Sequence, residues 1–295
     1  MPIGDLCAIT SGLMWSISVI LMRVSGFQIS PLPLNFFKNS VALVCLALLL
    51  LAQGEHWWPD LGLEAFLMLA VSAVVGISVA DVMIAAALNR LGASMHALAD
   101  CAYSPSIAMV GFLMFGETLN SWELIGGALV ISGVFVGATM TTEIRSPRDL
   151  WTGVVLAAGA HILMAVAILM VRDIYREHSL VWVTGFRFLI ATFALLIFAT
   201  LRFRKRMPEV LLAGFRRRDT WITMIPMAIF GPFLATLFWV SGFKYLTAGR
   251  AAIYNQLSTV FIIVLAYLFL REKFTLRKTI GTILALLGSL CVALN

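Results

Sequence analysis

Apolar runs of about twenty residues follow one another almost end to end, each long enough to cross a hydrocarbon core about 30 Å thick. They fall at 4–22, 32–53, 62–88, 94–115, 121–141, 149–171, 180–201, 220–243, 249–270 and 276–294. The pattern predicts ten helices. A backbone in lipid must satisfy its own hydrogen bonds, and runs this continuously apolar do not alternate as barrel strands do. The breaks are short and leave no room for a soluble domain. The longest, 202–219, carries Pro208 and two basic clusters, Arg202 to Arg206 and Arg216 to Arg218. The first run starts almost at Met1, without the basic segment or cleavage site of a signal peptide, so it is expected to stay as a span.

The pattern also repeats. Residues 91–138 lie without a gap on 246–293 at a shift of 155, matching Leu91 with Leu246, Ala93 with Ala248, Ala97 with Ala252 and Ile107 with Ile262. Further along, Glu117 meets Glu272, Gly126 meets Gly281, Leu129 meets Leu284 and Gly133 meets Gly288. Upstream, at a shift of 149, Arg23, Ser30, Phe37 and Lys38 fall on Arg172, Ser179, Phe186 and Arg187. Each match is weak alone, but the hydropathy profile repeats with them, and a repeat of this kind decides the architecture. The predicted fold is an all-α integral membrane protein of ten transmembrane helices, built as two five-helix repeats. The first repeat is 1–141, the linker 142–148 and the second repeat 149–295.

Composition agrees: 61% of the 295 residues are hydrophobic and 12% charged, with mean hydropathy +0.98, where a soluble domain carries about a quarter charged residues. The net charge of +6 does not point to nucleic acid, because the basic residues sit in the breaks. Fifteen Lys and Arg lie in the odd-numbered breaks and four in the even ones (Arg172, Arg176, Lys244 and Arg250). The positive-inside rule then places the odd breaks in the cytoplasm and both termini outside. An odd number of spans per half inverts the second repeat relative to the first, an arrangement typical of secondary transporters. Cys7, Cys45, Cys101 and Cys291 lie inside apolar runs without metal-type spacing and read as small buried hydrophobes.

Particular residues carry a likeness to a known group. They are Trp15 and Ser16, the stretch from Pro31 to Lys38, and Tyr103-Ser104-Pro105. With them go Glu117, Gly126 and Gly133, and their echoes Glu272, Gly281 and Gly288. With five plus five short helices, the chain resembles the EamA-type exporters of the drug/metabolite transporter superfamily. The resemblance implies a helical basket whose central cavity is lined by spans one, three, four, six, eight and nine, exporting amino acids or other small metabolites. Members are drawn with both termini in the cytoplasm, and here the charge count places them outside.

Ionisable residues inside a span are costly, about 2.5–3.5 kcal/mol on insertion scales, and so are functional candidates. Lys38, Asp81 and Asp100 fall at similar depth near one face. Two carboxylates so placed repel one another's charge, which suits proton exchange or an amine ligand; the plainer reading is that Lys38 pairs with one Asp and leaves the other over. Their repeat-mates are Arg187, Thr236 and Asn255. Arg187 either grips a substrate carboxylate or phosphate, pairs with Asp173 or Glu177, or snorkels. His161 is a core histidine or a proton relay. Trp15, Tyr103, Trp239, Tyr254, Asn255 and Gln256 are candidate cavity walls, with packing as the alternative. Trp57, Trp58 and Trp122 read as interfacial anchors.

Small-residue ridges, Gly133 with Gly137 and Gly281 with Ala285 and Ser289, pack span five on span ten or form a homodimer seam. Pro105, Pro226, Gly231 and Pro232 are hinges or static kinks. No P-loop, HExxH or Gly-x-Ser-x-Gly motif occurs, so no catalytic residue, metal or cofactor is expected. The expected function is secondary transport of a small polar metabolite across a bacterial inner (plasma) membrane, by a monomer or homodimer. A membrane enzyme on a lipid-borne substrate and a receptor or scaffold are the alternatives.

Overall fold

The computed structural model describes residues 3–54, 61–116, 120–138, 144–245, 248–273 and 275–293, and side chains throughout these except at 242–256 and 292–293. Trp57, Trp58 and Glu117 fall outside the described residues. The described residues contain helices and turns and no strand. We number the long helical stretches α1 (Ile3–Ser25), α2 (Pro31–Gln53), α3 (Leu63–Leu91), α4 (Ala93–Phe115) and α5 (Ser121–Gly137). They continue with α6 (Pro147–Leu169), α7 (Leu180–Phe203), α8 (221–245), α9 (Ala248–Leu270) and α10 (Leu276–Ala293). Among the described residues seven helices are long and apolar enough to cross a membrane, and α5 is apolar but shorter.

The outside of the bundle is apolar. Leu48 and Leu51 on α2, Phe193 and Ile197 on α7, and Leu268 and Phe269 on α9 are exposed. The inside holds Ser11, Ser16, Ser18, Asn35, Lys38, Asn39 and Arg187, all buried. That inversion is what lipid demands, since polar groups survive there only among themselves.

Packing partners recur between the halves. α1 lies against α8 and α9, and α6 lies against α3 and α4. α2 packs on α7, and α5 on α10. The last contact is glycine on glycine: a Cβ on Gly133 would sit 2.6 Å from the Gly281 carbonyl oxygen, and one on Gly288 would sit 2.5 Å from the Gly126 oxygen. Each glycine thus faces the repeat-mate of the other, which makes the two helices antiparallel. These small residues of the ridges are used inside one chain, Gly133 against Gly281 and Ala285 and Gly288 against Gly126.

Two helices are interrupted where they approach the middle of the bundle. α8 runs through a π-helical turn, Ile229–Ala235, around Gly231 and Pro232. α3 carries a matching π-helical turn, Val74–Val79, at the same repeat position but with no proline. A π turn leaves carbonyls out of the regular ladder, and neighbouring side chains take them up. Asn35 Nδ2 donates to Ile77 O at 3.0 Å and Ser78 O at 3.4 Å. Ser18 Oγ donates to Met227 O at 2.8 Å and Ser11 Oγ to Ala235 O at 2.9 Å. α4 is broken by a turn at Cys101 and Ala102, and Ser289 Oγ donates to Cys101 O at 2.9 Å. Pro105 sits in the first turn after that break, where no helical N–H is needed, so the break precedes the proline.

Three further expectations are corrected by the packing. Arg23 is not a loop cation; it is buried and donates to Leu88 O at 3.3 Å and Asn89 O at 2.8 Å, at the negative end of α3. The stretch 202–219 is not an open loop: Met207–Leu211 and Ala213–Arg216 are helical and bring Phe215 onto Phe36 and Phe37 of α2. Cys101 is buried, but Cys7, Cys45 and Cys291 are half-buried.

The α5–α10 contact sets a test. Gly133→Ala forces a methyl against backbone and should cost roughly 1–3 kcal/mol, the usual penalty of overpacking. Gly127→Ala, whose nearest neighbour would be Pro105 Cβ at 3.8 Å, should be neutral or stabilising. Thermal unfolding of both variants in detergent checks the pair; equal midpoints would contradict the packing.

Candidate central cavity

A cavity of about 170 Å³ lies in the middle of the bundle. Its walls come from α1, α3, α4, α6, α8 and α9, and also from α2, α7 and the short helix Arg172–Glu177. The lining therefore includes three elements beyond the expected six. Both π turns reach it, through Gly76 and Ile77 on α3 and Pro232 and Ala235 on α8.

Lys38 and Asp81 line it side by side as an ion pair between α2 and α3. Asp81 lies two residues past the first π turn, and the Lys38 side chain is 3% exposed. A pair so enclosed stabilises little against an apolar alternative, but loss of one partner strands the other charge. Asp100, at the broken end of the first half of α4, is not left over. His161 Nε2 on α6 lies 2.9 Å from Asp100 Oδ1, and His96 Nε2, one helical turn back, lies 3.4 Å from the same oxygen. The two carboxylates are thus held by separate partners rather than by one cation.

Arg187 reaches the cavity from α7 and pairs with neither Asp173 nor Glu177. Its Nη1 donates to the Tyr175 hydroxyl at 3.1 Å, and that hydroxyl lies 3.2 Å from Thr184 Oγ1. The residue is 7% exposed, its Nε has no hydrogen-bond partner, and no described carboxylate lies within 4.0 Å of it. Gly76 makes room for it: a Cβ there would come within 3.4 Å of Arg187 Nη2. Trp15, Tyr103 and Trp239 line the same space, with the Tyr103 ring edge-on to His161 at 5.9 Å.

The cavity therefore brings together Lys38, Asp81, Asp100, Tyr103, His161, Arg187, Trp15 and Trp239. The side chains of Tyr254, Asn255 and Gln256 lie outside the described residues. Thr236, the repeat-mate of Asp81, lines the cavity as well. Sequence reasoning missed Tyr175, Thr184 and His96. Tyr175 had a signal, standing in a polar break two residues from each of the candidate acids Asp173 and Glu177. Among the described residues no group of three or more His, Cys, Asp or Glu is placed to hold a metal ion.

Glu272, marked by its place in the repeat, joins the halves away from the cavity. Its buried carboxylate accepts from Ala93 N at 2.7 Å, Ser94 N at 2.8 Å and Ser94 Oγ at 2.6 Å. Those amides open α4, where four helical donors lack partners and the dipole favours an anion.

The sequence profile of the EamA-like transporter family matches residues 2–139 and again residues 151–294. The chain belongs to the EamA-like transporter family. With seven apolar helices of spanning length among the described residues, this EamA-family chain is a multi-pass membrane protein. It is 33% identical over 67 residues, 23% of its length, to an uncharacterized transporter of Archaeoglobus fulgidus. Over 125 residues, 42% of its length, it is 29% identical to an uncharacterized transporter of Haemophilus influenzae. The matched regions span 24% and 38% of those relatives' lengths. A crystal structure shares the fold with TM-score 0.67 and 18% identity, over 99% of this chain and 96% of that one.

The Lys38–Asp81 pair sets the second test. Lys38→Met should destabilise the protein by roughly 3–5 kcal/mol, the usual result of stranding a buried charge. Adding Asp81→Leu to Lys38→Met should recover more than half of that. Thermal unfolding reads both; a single variant as stable as the parent would show that the pair is open to water.

Proposed function

We propose that this chain is a secondary carrier that exports an amino acid or related zwitterion across a bacterial inner membrane by alternating access. Ten spans form two five-helix repeats of opposite orientation, and the substrate binds between them. The antiparallel glycine contact of α5 with α10, the paired π turns and the reciprocal helix contacts support that arrangement. Arg187 receives the substrate carboxylate, and Trp15, Tyr103 and Trp239 enclose its remainder. Asp81 and Asp100 couple protons to the movement or meet the amine.

One observation carries the reading: a buried guanidinium at the cavity wall, bonded to one neutral hydroxyl and facing no described carboxylate. A charge left so at membrane depth is expensive, and an incoming carboxylate relieves that cost with the forked geometry a guanidinium favours. The four charged groups on the described wall, two cations and two carboxylates, leave it without net charge. That matches a zwitterion better than a multiply charged anion.

Purified protein in liposomes tests this. A thermal-shift screen of metabolites comes first, because a ligand of the native state raises apparent stability. Counterflow of the ligands found should then be saturable. Arg187→Gln should weaken binding of carboxylate-bearing ligands about a hundredfold, the effect of losing roughly 2.7 kcal/mol, and Arg187→Lys should recover part of it. Equal affinity in Arg187→Gln would remove the assignment. Asp81→Asn and Asp100→Asn should each flatten the pH profile of transport, and unchanged profiles in both would remove proton coupling.

A further inference from the structure

His96 is a poorly accommodated polar side chain near the cavity. It is 0% exposed, and neither ring nitrogen has a hydrogen-bond partner. Buried polar groups are nearly always bonded, so an orphaned imidazole calls for a reason. Its Nε2 points at Asp100 Oδ1 from 3.4 Å, on the same oxygen that His161 Nε2 meets at 2.9 Å. His161 lines the cavity and has an unpartnered Nδ1. His96 does not line it and lies one turn further along α4, toward the end capped by Glu272.

We propose that His96, Asp100 and His161 form a proton-binding site, in which Asp100 Oδ1 passes a proton between a cavity-lining imidazole and one sealed behind it. A proton from the cavity joins His161 Nδ1. The Nε2–H bond of His161 breaks as an O–H bond forms at Asp100 Oδ1. That O–H bond then breaks as an N–H bond forms at His96 Nε2, leaving imidazolium and carboxylate side by side. The charge-assisted bond closes the 3.4 Å gap, since such bonds are shorter and stronger than neutral ones. The cluster holds one proton in each direction of the cycle, and His96 is its storage position.

Several charged or titratable groups lie toward this cluster. Tyr103 and Cys101 flank it on α4, His161 comes from α6, and Glu272 stands at the start of α4. Arg23 at the end of α1 is bonded to carbonyls of α3. Lys38, Asp81 and Arg187 stand across the cavity. The described side chains of α9 bring hydroxyls, including Thr259 at 3.9 Å from Cys101 Sγ, and no charge. What the proton is used for rests on the carrier reading above; that the cluster binds one does not.

The test uses the full chain in lipid nanodiscs with ring-15N histidine, His56 and His178 being replaced by Gln so that two imidazoles report. Across about pH 5 to 8, where histidines change charge, His96 should pass from neutral to charged, and His161 should respond with it. Asp100→Asn should cut the charged fraction of His96 at least tenfold at the pH where the parent is half charged, and Asp100→Glu should restore it. Should Asp100→Asn not fold, His161→Gln decides, because His96 beside an intact Asp100 must still become charged. A His96 that stays neutral throughout, or that ignores Asp100→Asn, overturns the site whatever the flux does. A charging His96 beside counterflow with a flat pH profile keeps the site and removes proton coupling from the carrier reading.

Discussion

An isolated charge is costly in a bundle whose outer surface is apolar, and the interior of this protein follows from that constraint. Lys38 is answered by Asp81, and Asp100 by two imidazoles. Arg187 has a phenol, which satisfies one donor and leaves its charge unanswered. These groups come from α2, α3, α4, α6 and α7, so the helices are drawn to one centre by the same groups that line the cavity. Lys38, Asp81, Asp100 and Arg187 thus bind neighbouring helices together and line the cavity at once.

The backbone obeys the same rule at smaller scale. Breaking a helix inside a membrane is tolerated only where the freed carbonyls find donors. Here the donors are short side chains on neighbouring helices, Asn35, Ser11, Ser18 and Ser289. Such bonds are worth only about 0.6–2 kcal/mol each in membranes. They hold the π turns without locking them, and both π turns border the cavity. Glu272 works differently: a carboxylate on three donors at the head of α4 ties the second half firmly to the first.

Much of this was legible in the chain. Apolar runs locate helices within a few residues, and the Lys38, Asp81, Asp100 and Arg187 positions identify themselves by cost alone. Small-residue ridges mark α5 and α10 because only backbone approach explains glycine at that spacing. What was not legible depended on contacts between distant segments. Gly231-Pro232 signals the interruption in α8, but the twin interruption in α3 is written as Val-Gly-Ile-Ser, without proline, and is set by the packing around Gly76. His96 stands four residues before Asp100 on α4, and only the approach of His161 from α6 to the same carboxylate shows that the three belong together. Tyr175 falls in a polar break, yet it is buried and carries the hydroxyl that meets Arg187. The carboxylates flanking it in sequence point elsewhere, with Asp173 taken by Arg176.

The account turns on Arg187 being the cavity's open positive charge. Crystals of the protein soaked in bromide report this directly, because anomalous scattering places the anion without knowledge of the natural ligand. The predicted map has a bromide peak inside the cavity, within hydrogen-bonding reach of Arg187 and beside the Tyr175 hydroxyl. Peaks confined to the exposed basic stretch around Arg204 to Arg206, with an empty cavity, would contradict it.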